Sequence, residues 1–228
     1  MAMSRSYFSS SMGRPDFSIV ASIARLSHKY QIEILLQSAT NLLERAFPIE
    51  FEIWIENQGF KRAPLLFNPT QAIEAVNLIH LLGRTDMLPM AIYQCSLLDG
   101  APIVRGTRRV DGTLEKLAPE DMERCIRAWK YCLACPQIFL DELFAPSETC
   151  ERPHKCGPIF MEAAHARLRR EGSGLLRGDP LCYIESDTLP RVGSLCPSCV
   201  THRGRGRLLE LQQQAWDLFM QTLQHISP

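Results

Sequence analysis

The chain's 228 residues are enough for one large domain or two small ones. A hydrophobic fraction of 46% supports a sizeable core, and 25 basic side chains are cancelled by 25 acidic ones. A dedicated nucleic-acid binder draws affinity from an excess or clustering of Lys and Arg, so this balance gives that class no support. Nowhere do about 18 apolar residues run together, so no membrane span is expected. Residues 1–16 (MAMSRSYFSSSMGRPD) lack the apolar core of a secretory signal and read as a disordered leader. The nine cysteines are then expected as reduced thiols in an intracellular protein, cytoplasmic or nuclear.

The first predicted helix runs from Phe17 to Tyr30, with Asp16 as its N-cap. At about 100° per residue, Phe17, Val20, Ala21 and Ala24 form one apolar stripe. Ile19, Ile23, Leu26 and Tyr30 form another, roughly opposite. Such a helix is normally sandwiched between two layers. Only a short polar stretch precedes it, so one stripe is expected to stay uncovered and to serve as an interaction surface. Either set qualifies: Phe17, Val20, Ala21 and Ala24, or Ile19, Ile23 and Leu26.

A cleaner single stripe (Ile32, Leu35, Leu36, Ala39, Leu43, Ala46) predicts a second helix over 32–47, stopped by Pro48. Residues 50–58 fit a short helix or a strand. Asn68 and Pro69 open a third helix that turns Ala72, Ile73, Val76, Ile79 and Leu82 inward and ends at Gly83. Asp86 is the expected cap of a fourth, Met87 to Leu98. Residues 99–118 read as a loop with a small hairpin at Asp111-Gly112. Pro119 starts a helix through Leu133, followed by a short apolar element, Ile138 to Phe144. After Pro146 the composition turns to Cys, Pro, His and Gly. A helix is expected over 158–171, irregular chain over 172–204, and a terminal helix over 207–224.

Cys150-x5-Cys156 and Cys196-x2-Cys199 form the best chemical constellation. Two local Cys pairs can close a tetrahedral structural zinc site, and CPSC has the tight spacing of a metal knuckle. The first pair is looser, so His154, His202 or Cys182 are alternative ligands. The other reading is four thiols packed without metal. Cys132 and Cys135 are read as core cysteines at a helix end. His28 is assigned to helix-end packing, His80 to a partly buried core position and His165 to solvent. Arg203, Arg205 and Arg207 have no interleaved aromatics and read as a lead-in to the last helix, not as an RNA-binding segment. A RING-like module needs eight interleaved ligands, and residues 146–204 supply five Cys and three His without that spacing. Nucleophile-elbow, P-loop, H-E-x-x-H and kinase signatures are absent, so no enzyme is expected.

The run FSIVASIARLSHKYQIEILLQSATNLLERAFP (17–48) resembles a stretch in the BTB/POZ-domain proteins of mushroom-forming fungi. The likeness continues through helix 69–82, DMLPMAIYQCSLL (86–98), DMERCIRAW (121–129), the cysteines after Pro146 and LCPSC (195–199). It implies that the first helix corresponds to the end of a BTB domain and that a BACK-like region follows. The BTB core itself should precede residue 17 and is missing there, which fits a truncated paralogue or an incomplete gene model. Without that core, cullin binding loses its support. The expected fold is mainly α: stacked BACK-like hairpins over 17–145, a Cys-containing loop-rich subdomain over 146–204, and a C-terminal helix over 205–228. The expected function is a non-enzymatic protein-interaction scaffold that binds a protein partner or itself. The alternative is a zinc-stabilised nucleic-acid-binding or ubiquitin-pathway module.

Overall fold

The computed structural model describes residues 13–169, 181, 194–202 and 205–224. Most of the expected leader, and most of the stretch expected to be irregular, lie outside these residues. The fold is mainly α, as the apolar periodicities predict, with one two-stranded sheet among the described residues. The chain divides into two compact units, Met1–Ala128 and Trp129–Pro228. The division falls within a helix and not at the change of composition after Pro146.

The first unit opens with α1 (Phe17–Tyr30), where Asp16 accepts from the Ser18 backbone N–H and hydroxyl at 2.8 and 2.6 Å. The residues just before α1 are not loose leader. Leu66 donates its N–H to the Pro15 carbonyl, and its own carbonyl accepts from Phe17, both at 2.8 Å. α2 (Glu33–Ala46) packs antiparallel on α1 after the left-handed residue Gln31. Ala39, Leu43 and Ala46 of its predicted stripe are buried, whereas Ile32 at its start is exposed. The ambiguous 50–58 segment is helical as α3 (Phe51–Glu56), and its Trp54 is buried against Phe60 and Tyr93.

Asn68 caps a 3-10 turn through a reciprocal capping box with Gln71, and α4 (Ala72–Leu81) follows. Ala72, Ile73, Ala75, Val76, Leu78 and Ile79 are all buried, so α4 is the unit's central helix. It packs on α1 and on α5 (Leu88–Ser96). Asp86 does not cap α5: Arg84 takes its carboxylate at 2.6 Å, and a 3-10 turn over Thr85–Met87 leads into the helix instead. The loop expected at 99–118 contains α6 (Gly100–Arg105), a helix too short for a periodicity to register. It also contains the foreseen hairpin, β1 (Thr107–Arg108) against β2 (Leu114–Glu115), turning at Gly112.

α7 (Pro119–Leu143) merges the helix and the apolar element that were expected to be separate. The residues between them offer no glycine, and Pro136 removes only one backbone donor. In the second unit Tyr131 of α7 donates its hydroxyl to the Ala215 carbonyl at 2.9 Å and packs on Phe219. α8 (Pro153–Arg169) begins five residues before the expected Pro158, because Pro153 suits a first helical position. α9 (Pro197–His202) occupies part of the stretch expected to be irregular, and α10 (Arg205–Gln224) closes the described chain. Phe160, Leu208, Leu211, Ala215, Trp216 and Phe219 are buried in this unit.

Two glycines separate backbone strain from collision. Gly83 has φ +66° and open space around a built Cβ, whereas at Gly106 (φ +84°) a Cβ would lie 2.1 Å from the Glu115 carbonyl oxygen. Gly83→Ala should cost about 1 kcal/mol, from the left-handed conformation alone. Gly106→Ala should cost on the order of 3 kcal/mol, because the hairpin must shift. Urea unfolding of both variants checks this, and equal losses would contradict it.

Hydrogen bonds from the Ser18 hydroxyl, then from its N–H, hold the Asp16 carboxyl below its usual value of 3.8. The cap's charge-dependent contribution is therefore complete above the unfolded-state value and is lost as pH falls through the folded one. Asp16→Ala should lower stability by about 1 kcal/mol at neutral pH. The loss should shrink in acid, and Asp16→Asn should not show this pH step when unfolding is followed by circular dichroism.

Candidate metal centre

Two short loops, each running into a helix start, bring four cysteines together. The Cys150 N–H closes a turn onto the Ser147 carbonyl at 2.9 Å. Arg152 then accepts from Cys156 at 2.9 Å as α8 begins, which places Cys156 in that helix's first turn. Cys196 directly precedes α9 and accepts at its carbonyl from Val200 at 2.9 Å, while Cys199 lies within α9. The four ligand sulfurs of Cys150, Cys156, Cys196 and Cys199 all lie within 4.8 Å of one another. Cys150 and Cys196 Sγ are 3.8 Å apart, and all four cysteines are free. Cys156, Cys196 and Cys199 are fully buried, whereas Cys150 is partly exposed. These four residues can hold a metal ion.

Backbone donors point at the sulfurs. The Cys199 N–H, followed by the Glu151 N–H, lowers the Cys196 thiol to about 6. Burial is the main cause that pushes Cys199 up to about 12, against a hydrogen bond from Ser147. Burial also raises Cys150, opposed by a bond from Arg152. A thiolate is thus favoured first at Cys196, and the close approach of the other three sulfurs opposes further negative charge. Groups other than cysteine clip the two loops together: Arg152 donates to the Leu195 carbonyl at 3.3 Å, and Ser198 to Glu151 Oε1 at 3.4 Å.

Neither alternative histidine joins this set. His154 is exposed and neither it nor His202 belongs to the cluster, while Cys182 lies outside the described residues. Cys132 is buried as expected of a core cysteine, and the side chain of Cys135 is outside the described set. His165 and His28 are exposed. Of the three C-terminal arginines, Arg203 is outside the described residues, and Arg207 pairs with Glu210 at 3.4 Å.

α1 separates its two stripes. Phe17, Val20, Ala21 and Ala24 have no exposed surface, and Phe17 sits edge-on to Phe47 and Phe67. Their candidacy as interaction residues is corrected: α2, α4 and the chain around Leu66 and Phe67 supply the missing layer. On the other stripe Ile19 is 54% exposed, Leu26 55% and Tyr30 62%, with Ile23 half-buried between them. Ile34 of α2 is exposed as well.

Sequence reasoning missed two ionic clusters built on buried carboxylates. Buried Glu74 and Glu115 receive Arg25 at 2.6 and 3.4 Å, and Arg109 also pairs with both. Asn77 donates to Glu115 as well, so the hairpin is fastened to α1 and α4. Asp121 is buried between His80 at 2.8 Å and Arg124 at 2.7 Å. A charged Glu74 within the apolar run of α4 was the one available signal. No described helix is long and apolar enough to cross a membrane. No protein-family model, curated protein or solved structure matches the chain.

Proposed function

We propose that this chain is a non-enzymatic protein-interaction scaffold of the BTB-protein type, with a structural zinc ion at Cys150, Cys156, Cys196 and Cys199. The scaffold reading is carried by the exposed Ile19, Leu26 and Tyr30, with half-buried Ile23 between them, on a well-capped helix. A surface row of large apolar side chains at spacings of four, three and four residues suits a partner helix, because such positions share one helix side. The other side of α1 is committed to the core, so the helix presents its stripe from a fixed base.

The metal reading rests on geometry. Zinc–sulfur bonds of about 2.3 Å in a tetrahedron place sulfurs about 3.8 Å apart. The Cys150–Cys196 separation is 3.8 Å, and the remaining pairs, within 4.8 Å, need little closing. N–H donors to the sulfurs supply the outer hydrogen bonds that steady a thiolate site. With all four positions taken by protein, no place is left for water or substrate, so zinc here ties loops together and does not catalyse.

Purified protein should contain about one zinc per chain by elemental analysis. Cys196→Ser and Cys199→Ser should each lose most of it, and chelation should lower the melting temperature of the native chain. Zinc content unchanged in Cys196→Ser would remove that residue from the site.

The double substitution Ile19→Glu with Leu26→Glu should leave stability within about 0.5 kcal/mol, because both side chains face solvent. It should abolish binding of a hydrophobic dye and any association seen in sedimentation. A native chain that sediments as a clean monomer and ignores the dye would overturn the scaffold reading.

A further inference from the structure

We propose that the four-cysteine centre is a peroxide-responsive switch, in which oxidation joins Cys150 to Cys196 and expels the zinc ion. This rests on the zinc reading above and adds regulation to it. Three observations single out this pair. Cys150 is the partly exposed member of an otherwise buried set, so it meets a small oxidant first. The Cys150 and Cys196 sulfurs already lie 3.8 Å apart. Most telling is the backbone: Cys150 and Cys196 sit in chain outside any helix, whereas Cys156 and Cys199 lie within α8 and α9. A disulfide needs sulfurs about 2.05 Å apart. The two cysteines on non-helical chain can close that gap without unwinding a helix.

The chemistry balances with hydrogen peroxide as the oxidant. Coordination keeps Cys150 as a thiolate at neutral pH. Its sulfur attacks one peroxide oxygen, the O–O bond breaks, and hydroxide leaves, giving a sulfenic acid on Cys150. The Cys196 thiolate then attacks that sulfur, forms the S–S bond and displaces a second hydroxide. Two thiolates have lost two electrons in all, and peroxide has become two hydroxides. Cys156 and Cys199 remain as two ligands where zinc needs four, so the ion leaves. A dithiol reductant and fresh zinc reverse the step.

The test uses the full chain. Zinc content is measured first, and then zinc release is followed with a colorimetric chelator after addition of hydrogen peroxide. Cys150→His keeps four ligands and removes the oxidisable edge. The native chain should release zinc at least about tenfold faster than Cys150→His. Peptide mapping without reductant should find the Cys150–Cys196 disulfide, and dithiothreitol with zinc should restore the metal. Zinc retained under peroxide, release equally fast in Cys150→His, or a disulfide joining any other pair would overturn the switch and leave the zinc reading standing. A chain that contains no zinc at the outset and takes up none would overturn both. Should Cys150→His fail to fold, the disulfide map of the native chain decides alone.

Discussion

In the first unit, packing centres on the side of α1 made by Phe17, Val20, Ala21 and Ala24. Two alanines in that stripe leave room for close approach of the neighbouring elements, and α2 packs against α1. Phe17 joins Phe47 and Phe67 in edge-to-face contacts, which position aromatic rings more sharply than aliphatic packing does. The backbone pairing around Leu66 fixes where the helix starts. Arg25, projecting from the same helix, reaches buried Glu74 and Glu115 and so joins helix, core and hairpin. With these sides occupied, the stripe of Ile19, Leu26 and Tyr30 is the side left to solvent.

Glu74 and Glu115 are nearly inaccessible, and an unpaired charge there would be severely destabilising. Two arginines and an asparagine satisfy them together. The arrangement gives the short hairpin, which has almost no apolar surface to bury, a definite seat on α1 and α4. Gly106 belongs to the same arrangement, since only a residue without a side chain leaves the Glu115 carbonyl in place.

The four-cysteine geometry answers a different problem in the second unit. The chain from Pro146 to Pro153 and the chain just before α9 carry few large apolar side chains. Loops of that kind stay in register only when cross-linked or hydrogen-bonded. The cysteine cluster, the Arg152–Leu195 bond and the Ser198–Glu151 bond all join the same two loops. One thiol of the four, Cys150, is partly exposed, whereas the other three are buried.

Local chemistry made much of this legible. Asp16, Asn68, Gly83 and Gly112 mark their boundaries because caps and left-handed turns depend on a few neighbouring residues. The two opposed stripes of α1 and the pairing of Cys150-x5-Cys156 with Cys196-x2-Cys199 could likewise be read from spacing alone. Other features depend on partners distant in the chain. Nothing near Arg84 says that Glu44, 40 residues earlier, will share it with Asp86. Which stripe of α1 is buried was undecidable locally, since both are apolar and only the packing of α2, α4 and Phe67 distinguishes them. The seating of Glu74 and Glu115, and the choice of cysteines over His154 or His202, are tertiary decisions for the same reason. Sequence spacing limits which side chains can meet locally, whereas burial and charge pairing across tens of residues select the ones that do.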